Sequence, residues 1–369
     1  MLKRIYINNF RCFVNFELQL GREQLILGLN GTGKSTLLDA LSAVRELVTR
    51  QGVLDDLFPE SCRTRWTTLP EQTFELEVEL EATYRFELVL VPAASGRTRI
   101  QRERVLCDGQ KVFDFSDGNV QLFDDSFAVT HAYPFDPSQS ALATIQTGAR
   151  NSRLMRFKDW IEDMHCLRLN PLTMSKKSER EEPRPRRDLS NFSSWYRYMA
   201  QEHSDAAFAL QKQLHQILPG FAALDLPSAG ANVRILGARF ATQGTEYQNH
   251  GFPVAFDELS DGQRVLICLY ALLHFVVQGN ATIFLDEPEN FIAIPEIQPW
   301  LMELRDRMDE KGGQVILLSH HPEIINYLAP DFGLVFERTG TGPVRIREYE
   351  SGTPLSPAEE IARGWSVRE

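Results

Sequence analysis

The sequence predicts an α/β chain: a mainly parallel core sheet joined to an antiparallel β-subdomain and a helical insertion. Three observations carry that expectation. A glycine-rich turn, residues 28–35, stands between an apolar β-like run and an amphipathic stretch. Residues 72–127 alternate apolar and polar side chains. Beyond residue 262, strand-length apolar runs alternate with helical spacings, the layout of strand–helix–strand units on a parallel sheet.

Taken in order, residues 2–7, 16–20 and 24–27 read as short strands. After the glycine turn, Leu37, Leu38, Leu41, Val44 and Val48 recur at helical spacing. Period two then governs Phe74-Glu-Leu-Glu-Val-Glu-Leu80 and Tyr84-Arg-Phe-Glu-Leu-Val-Leu90, with Asp108-Gly109 and Asp117-Gly118 as two-residue hairpin turns. Residues 152–220 read as helical with one break at 176–188, KKSEREEPRPRRD, too charged and proline-rich to pack a core. That stretch is expected as an exposed loop, and its Arg184, Arg186 and Arg187 offer phosphate contacts for a nucleic acid. Phe208, Leu210, Leu214, Ile217 and Leu218 share one face of the following helix, closed by Pro219-Gly220.

In the last third, 262–277 and 297–308 read as helices and 282–285 and 315–318 as buried strands. Ser356 and Glu359 form a capping box that opens a final helix. No heptad run is sustained and no internal repeat is visible. The chain therefore divides into an N-terminal lobe, 1–150, a helical insertion, 151–250, and a C-terminal lobe, 251–369.

The 369 residues carry 39 Lys and Arg against 50 Asp and Glu, a formal charge of −11. This acidity argues against coating nucleic acid by bulk charge. Apolar residues at 43% and charged residues at 24% exclude a disordered or collagen-like chain. Five scattered cysteines with no C-x-x-C pair suit reduced thiols better than a disulfide frame or zinc site. The opening residues lack an apolar signal segment, and the uncharged stretch 265–285 is interrupted by His274, Gln278, Gly279 and Asn280. A soluble, cytoplasmic protein without a membrane partner is expected.

Four segments carry the chemistry. Gly28-Leu-Asn30-Gly31-Thr32-Gly33-Lys34-Ser35-Thr36 fits G-x-x-x-x-G-K-[ST], in which glycines let backbone N–H groups curl around phosphates and the next helix adds its dipole. Lys34 reaches the β- and γ-phosphates and Ser35 ligates Mg²⁺. The apolar run ending in Asp286-Glu287-Pro288 supplies a carboxylate for Mg²⁺, Asp286, and one to position the attacking water, Glu287. Ser260-Asp-Gly262-Gln263 opens a long apolar helix and makes a second anion-binding helix start, useful where two copies of the chain face each other; a plain helix N-cap is the other reading. A further buried strand ends in Ser319-His320-His321-Pro322, where a histidine can donate to a γ-phosphate; His320 is the first choice and His321 the second.

These four segments, in this order, resemble the Walker A, signature, Walker B and switch-histidine elements of the ABC-type ATPases. Within that superfamily the chain is similar to the RecF/SMC-like heads and the OLD-like "AAA family" ATPases without a fused nuclease. Ile7-Asn-Asn-Phe10-Arg11-Cys-Phe13, Ser140-Ala-Leu142 and Asp286-Glu-Pro-Glu289 add to the likeness. The gap between Lys34 and Ser260 is long enough for a β-subdomain and a compact insertion, and it holds no coiled coil. The resemblance implies an ABC-type head that binds ATP and Mg²⁺ and closes as a head-to-tail homodimer, with Ser260 completing the partner's site. It also implies a regulatory role beside a nuclease or toxin effector in anti-phage defence; a DNA-repair ATPase is the alternative, and a transporter motor a third. Arg11 is implied as a nucleotide contact and Gln139 as the glutamine-loop metal ligand. Asp261 departs from the family's glycine and adds a negative charge, and Asn290-Phe-Ile-Ala-Ile-Pro295 departs from its histidine-containing segment.

Overall fold

The computed structural model describes residues 1–93, 96–241 and 251–363. Its centre is a six-stranded sheet in the order Met164–Leu167, Gly279–Asp286, Gly312–Leu318, Glu23–Leu27, Gly333–Glu337, Arg345–Glu348. The first five strands run parallel and the last antiparallel. Side chains on these strands alternate between two cores. Ile26, Phe284, Ile316 and Leu318 join one with helices Lys34–Val48 and Ser152–Glu162. Leu25, Leu27, Ile283, Leu285, Val315 and Leu317 join the other with helices Phe192–Glu202, Ser204–Ile217, Asp261–Phe275, Ile294–Lys311 and Pro322–Phe332. Burial on both faces is why these strands read as continuous apolar runs. Helix Asp261–Phe275 is likewise buried at every position from Val265 on, as a helix apolar all round must be. Among the described residues, no helix is long and apolar enough to cross a membrane.

The larger sheet is antiparallel. Six of its eight strands, from Gln72–Glu79 to Val129–Pro134, form a meander, and the hairpin of Leu2–Asn8 and Phe16–Gln19 adds to its Gln72–Glu79 edge through Leu2–Asn8. The molecule is therefore mixed parallel and antiparallel: of the opening strands only Glu23–Leu27 enters the core sheet, and the other two belong to the antiparallel sheet. Buried Gln314 joins the two sheets. Its Oε1 accepts from Leu2 N (2.8 Å), and its Nε2 donates to the carbonyls of Leu2 (2.7 Å) and Gly21 (2.6 Å).

The stretch 151–250 is less helical than its spacing implies. Met164–Leu167 pairs with Gly279–Asp286 as a core strand. Phe221–Asp225 and Gly237–Phe240 build a small antiparallel sheet with Phe252–Ala255; residues 242–250 lie outside the described residues. Phe208 points outward, 74% exposed, while Leu210 and Leu214 are buried. Nor is 176–188 a free linker. Lys176 pairs with Asp257, Lys177 with Glu179, Arg180 and Arg186 with Glu182, Arg184 with Glu162 and Arg187 with Asp39. The cations expected to contact phosphates are already paired within the chain.

Candidate functional site

Parallel register brings three strand ends to one edge. Ile26 lies opposite Leu318 and Leu318 opposite Asp286, so the segments after residues 27, 286 and 318 leave the sheet side by side, where ligands of α/β folds gather. At Gly28 (φ 148°) a Cβ would stand 2.5 Å from the Phe336 carbonyl oxygen, and at Gly33 (φ 101°) 2.9 Å from Cys12 Sγ. Conformation and space both demand glycine there. Gly33 leads directly into helix Lys34–Val48, whose first turn carries no acidic residue and no side-chain cap. Its free N–H groups are open to an anion.

Lys34 lies across this cradle, only 8% exposed, its Nζ donating to the carbonyls of Gly28 (2.6 Å) and Leu29 (3.2 Å). Burial lowers its pKa, while Asp286 and Glu287 act the other way. Ser35 Oγ donates to Asp286 Oδ2 (3.2 Å). Burial raises the pKa of Asp286, against the pull of Arg168 and with the push of Glu287. Glu287 takes the left-handed backbone (φ 51°), its N–H donating to the Leu318 carbonyl (2.7 Å) and its Oε2 accepting from Asn290 Nδ2 (3.0 Å). A left-handed glutamate costs roughly 1 kcal/mol and persists only where its surroundings hold it. Here Ser319 Oγ also donates to Glu289 Oε1 (2.6 Å), locking the two strand ends together.

His320 and His321 have different tasks. His321 caps helix Pro322–Phe332, its Nδ1 accepting from Glu323 N (3.2 Å). His320 lines the cavity, and partial burial with the nearby Lys34 ammonium lowers its pKa. That cavity, about 470 Å³, is also walled by Arg11, Asn30, Gly31, Gly33, Lys34, Ser35, Thr36, Asp286 and Glu287. Thr32 is buried beneath it, with Oγ1 donating to the Leu29 carbonyl (2.8 Å). Arg11 pairs with Asp39 of the glycine-loop helix.

Besides Gly28 and the buried Thr32, four expected residues stand outside the cavity wall. Ser260 and Gln263 form a capping box, Ser260 Oγ accepting from Gln263 N (3.2 Å). Gly262 packs so closely that a Cβ there would meet the Phe291 carbonyl oxygen at 2.6 Å. The added charge of Asp261 is matched by Arg264 one turn on. Gln139 sits in an exposed turn after strand Val129–Pro134, its N–H donating to the Asp136 carbonyl (3.3 Å). Gln139 thus lies apart from the residues that line the cavity. The residue that the core sheet brings beside Asp286 is Arg168, after strand Met164–Leu167. Also missed were Arg63, Arg65, Trp66 and Arg338, which close the outer wall; the Arg338 guanidinium lies over the Trp66 ring, 5.3 Å from its centroid. The only sequence signal for them was the basic–aromatic run Arg63-Thr-Arg-Trp66.

The donor set fits a Mg²⁺–nucleotide: a glycine cradle that a methyl group would fill, a buried ammonium on it, and a hydroxyl already bonded to a buried carboxylate. Fold and site together define an AAA/ABC-type P-loop ATPase. Residues 25–326 match the family model described as "AAA domain, putative AbiEii toxin, Type IV TA system", and the chain belongs to that family. A second model, described as "AAA domain", matches residues 4–44. An OLD nuclease from Thermus scotoductus is 32% identical over 112 residues, a match spanning 30% of this chain and 18% of that nuclease. Two solved structures share the fold. An SMC head bound to the C-winged helix domain of ScpA has a TM-score of 0.57 at 10% identity, covering 94% of this chain and 98% of that one. An SMC head with an extended coiled coil, bound to the C-terminal domain of ScpA derived from Pyrococcus furiosus, has 0.55 at 8%, covering 100% and 99%.

Proposed function

We propose that this protein is an ATP-hydrolysing switch that closes head-to-tail with a second copy around ATP–Mg²⁺ and regulates a separate effector. The observation that carries the reading is the convergence of Lys34, Ser35, Asp286, Glu287 and His320 at one sheet edge. Lys34 would leave the Gly28 and Leu29 carbonyls for the β- and γ-phosphates, with the N–H groups of the glycine turn and helix start around them. Ser35 Oγ and Asp286 would hold Mg²⁺, which when bound neutralises charge on the transferring phosphoryl group. Glu287 would orient the attacking water and accept its proton. His320, on the cavity wall, would donate to the terminal phosphate.

A second copy is favoured by what surrounds Ser260. Leu172 (74%), Phe291 (50%) and Ile294 (61%) are exposed. The Phe291 backbone packs on Gly262, and the Pro171 carbonyl accepts from Arg264 (2.7 Å), so Leu172 and Phe291 flank the Ser260 helix start. Such a patch on an ATPase head is suited to cover by another protein surface. The family's description and the OLD nuclease relative favour a toxin or nuclease effector in a bacterial defence system, working in the cytoplasm. A DNA-repair role is the alternative, although the arginines of 176–188 that would contact phosphates pair within the chain.

Mixing tests the shared site. Lys34→Ala and Ser260→Arg should each abolish turnover alone. Together they should recover up to about a quarter of wild-type turnover, since half the dimers are mixed and each holds one intact site. No recovery from two folded preparations would overturn the head-to-tail dimer.

A further inference from the structure

Among the described residues, Arg168 is the guanidinium that forms ion pairs with both carboxylates of the site. It follows strand Met164–Leu167, in which Leu167 lies opposite Leu285, so it leaves the sheet beside Asp286. Its Nε stands 3.9 Å from Asp286 Oδ2 and its terminal nitrogen 3.6 Å from Glu287 Oε2. Both separations exceed hydrogen-bond length. The side chain is 55% exposed, whereas that of Asp286 is 3% exposed. Asp286 and Glu287 thus have a cation near them that attracts without being locked in place.

The backbone of Arg168 is held firmly. Its N–H donates to the Arg187 carbonyl (2.8 Å), Asn170 N–H donates to the Asp188 carbonyl (3.2 Å), and Arg187 pairs with Asp39 Oδ1 (2.7 Å) on the glycine-loop helix. A fixed root with a loosely held tip is suited to exchange of partners. A buried carboxylate beside a second one needs a counter-ion whenever the metal is absent. A guanidinium that gives up Asp286 keeps its charge and needs another anion, and the terminal phosphate would be the nearest new one.

Resting on the reading of the cavity as an ATP–Mg²⁺ site, we propose that Arg168 is a positioning residue with two partners. In the metal-free site it serves as counter-ion of Asp286 and Glu287; on loading it gives up Asp286 and turns to the terminal phosphate. Arg168 therefore competes with the metal before loading and assists turnover after it.

The test uses the full chain with saturating ADP, and Mn²⁺ as the metal probe, bound Mn²⁺ being read by electron paramagnetic resonance. Arg168→Ala should bind Mn²⁺ about two- to fivefold more tightly than wild type, the scale of a half-exposed ion pair removed as competitor. The same variant should hydrolyse ATP at least about tenfold more slowly at saturating Mg²⁺ and ATP. Arg168→Lys should hold Mn²⁺ near the wild-type affinity, because the charge remains, yet turn over more slowly, because an ammonium lacks the planar fork. Weaker Mn²⁺ binding in Arg168→Ala, or wild-type turnover in Arg168→Lys, would overturn the assignment; the second applies even if the alanine variant fails to fold. Wild-type protein that bound neither ADP nor Mn²⁺ would instead remove the reading of the cavity itself.

Discussion

The six-stranded sheet is covered on both faces and the eight-stranded sheet on one, and their charges are arranged accordingly. On the antiparallel sheet, charges pair both across neighbouring strands and along a single strand. Glu75 meets Arg4 (2.8 Å) and Arg85 (2.9 Å), Arg85 meets Glu87 (3.2 Å), and Asp114 meets Arg104 (2.8 Å) and Lys111 (2.6 Å). Partly exposed pairs of this kind are each worth about 1 kcal/mol or less, and they hold register more than they add stability. The parallel strands have no wet face, so their site charges, Asp286, Glu287 and Arg168, sit at strand ends and in the segments that follow. Charge spent along a strand is committed to its neighbour; charge at a strand end is available to a ligand.

Two substitutions test that contrast. Lys34→Ala acts at the end of the parallel sheet and should cost ATP about tenfold to a hundredfold in affinity, the worth of a charged hydrogen bond. Thermal unfolding should move little, because the ammonium is held only by two carbonyls. Unchanged affinity by titration would move the nucleotide away from the glycine turn.

The second test belongs to the antiparallel sheet. Glu103 is fully buried on strand Thr98–Cys107, accepting from Ser140 Oγ (2.5 Å) and Leu142 N (3.1 Å). Burial, opposed by these bonds, raises its pKa to about 7. A carboxyl raised above its unfolded value contributes stability in acid and loses it as pH rises through the folded value. Wild type should therefore lose up to about 3 kcal/mol relative to Glu103→Gln between pH 5 and pH 8. Urea unfolding of both proteins at the two pH values checks this, and parallel pH curves would contradict it. ATP affinity should stay the same in both, which would confirm that this sheet supports the site without entering it.

What could be seen from the sequence follows the same division. The glycine turn, the strand ending in Asp286-Glu287 and the Ser319-His320-His321 segment were legible because each is contiguous. So were the Asp-Gly hairpins, where Asp108 and Gly109 have φ of 50° and 78° and Asp117 and Gly118 of 49° and 85°, the left-handed pair that such turns require. Strand Met164–Leu167 was hidden: four buried residues next to a helix have no readable period. Arg168 had no signal for the same reason, because a residue's place beside Asp286 is fixed by sheet order and not by spacing. The loop 176–188 misled for a related reason. Its charges look like those of a solvated linker, but Glu162, Asp39 and Asp257, which pair with them, come from other segments. Trp66 and Arg338 meet across most of the chain, and no local pattern announces such a pair.

The measurement that bears most directly on the account is ATP binding and turnover of Glu287→Gln beside wild type, with Mg²⁺ present. Glutamine keeps the shape of the side chain and removes the base. Turnover should fall by about a hundredfold or more, while ATP remains bound as tightly as in wild type. Wild-type turnover in this variant would contradict the assignment of Glu287 and, with it, the catalytic edge of the parallel sheet.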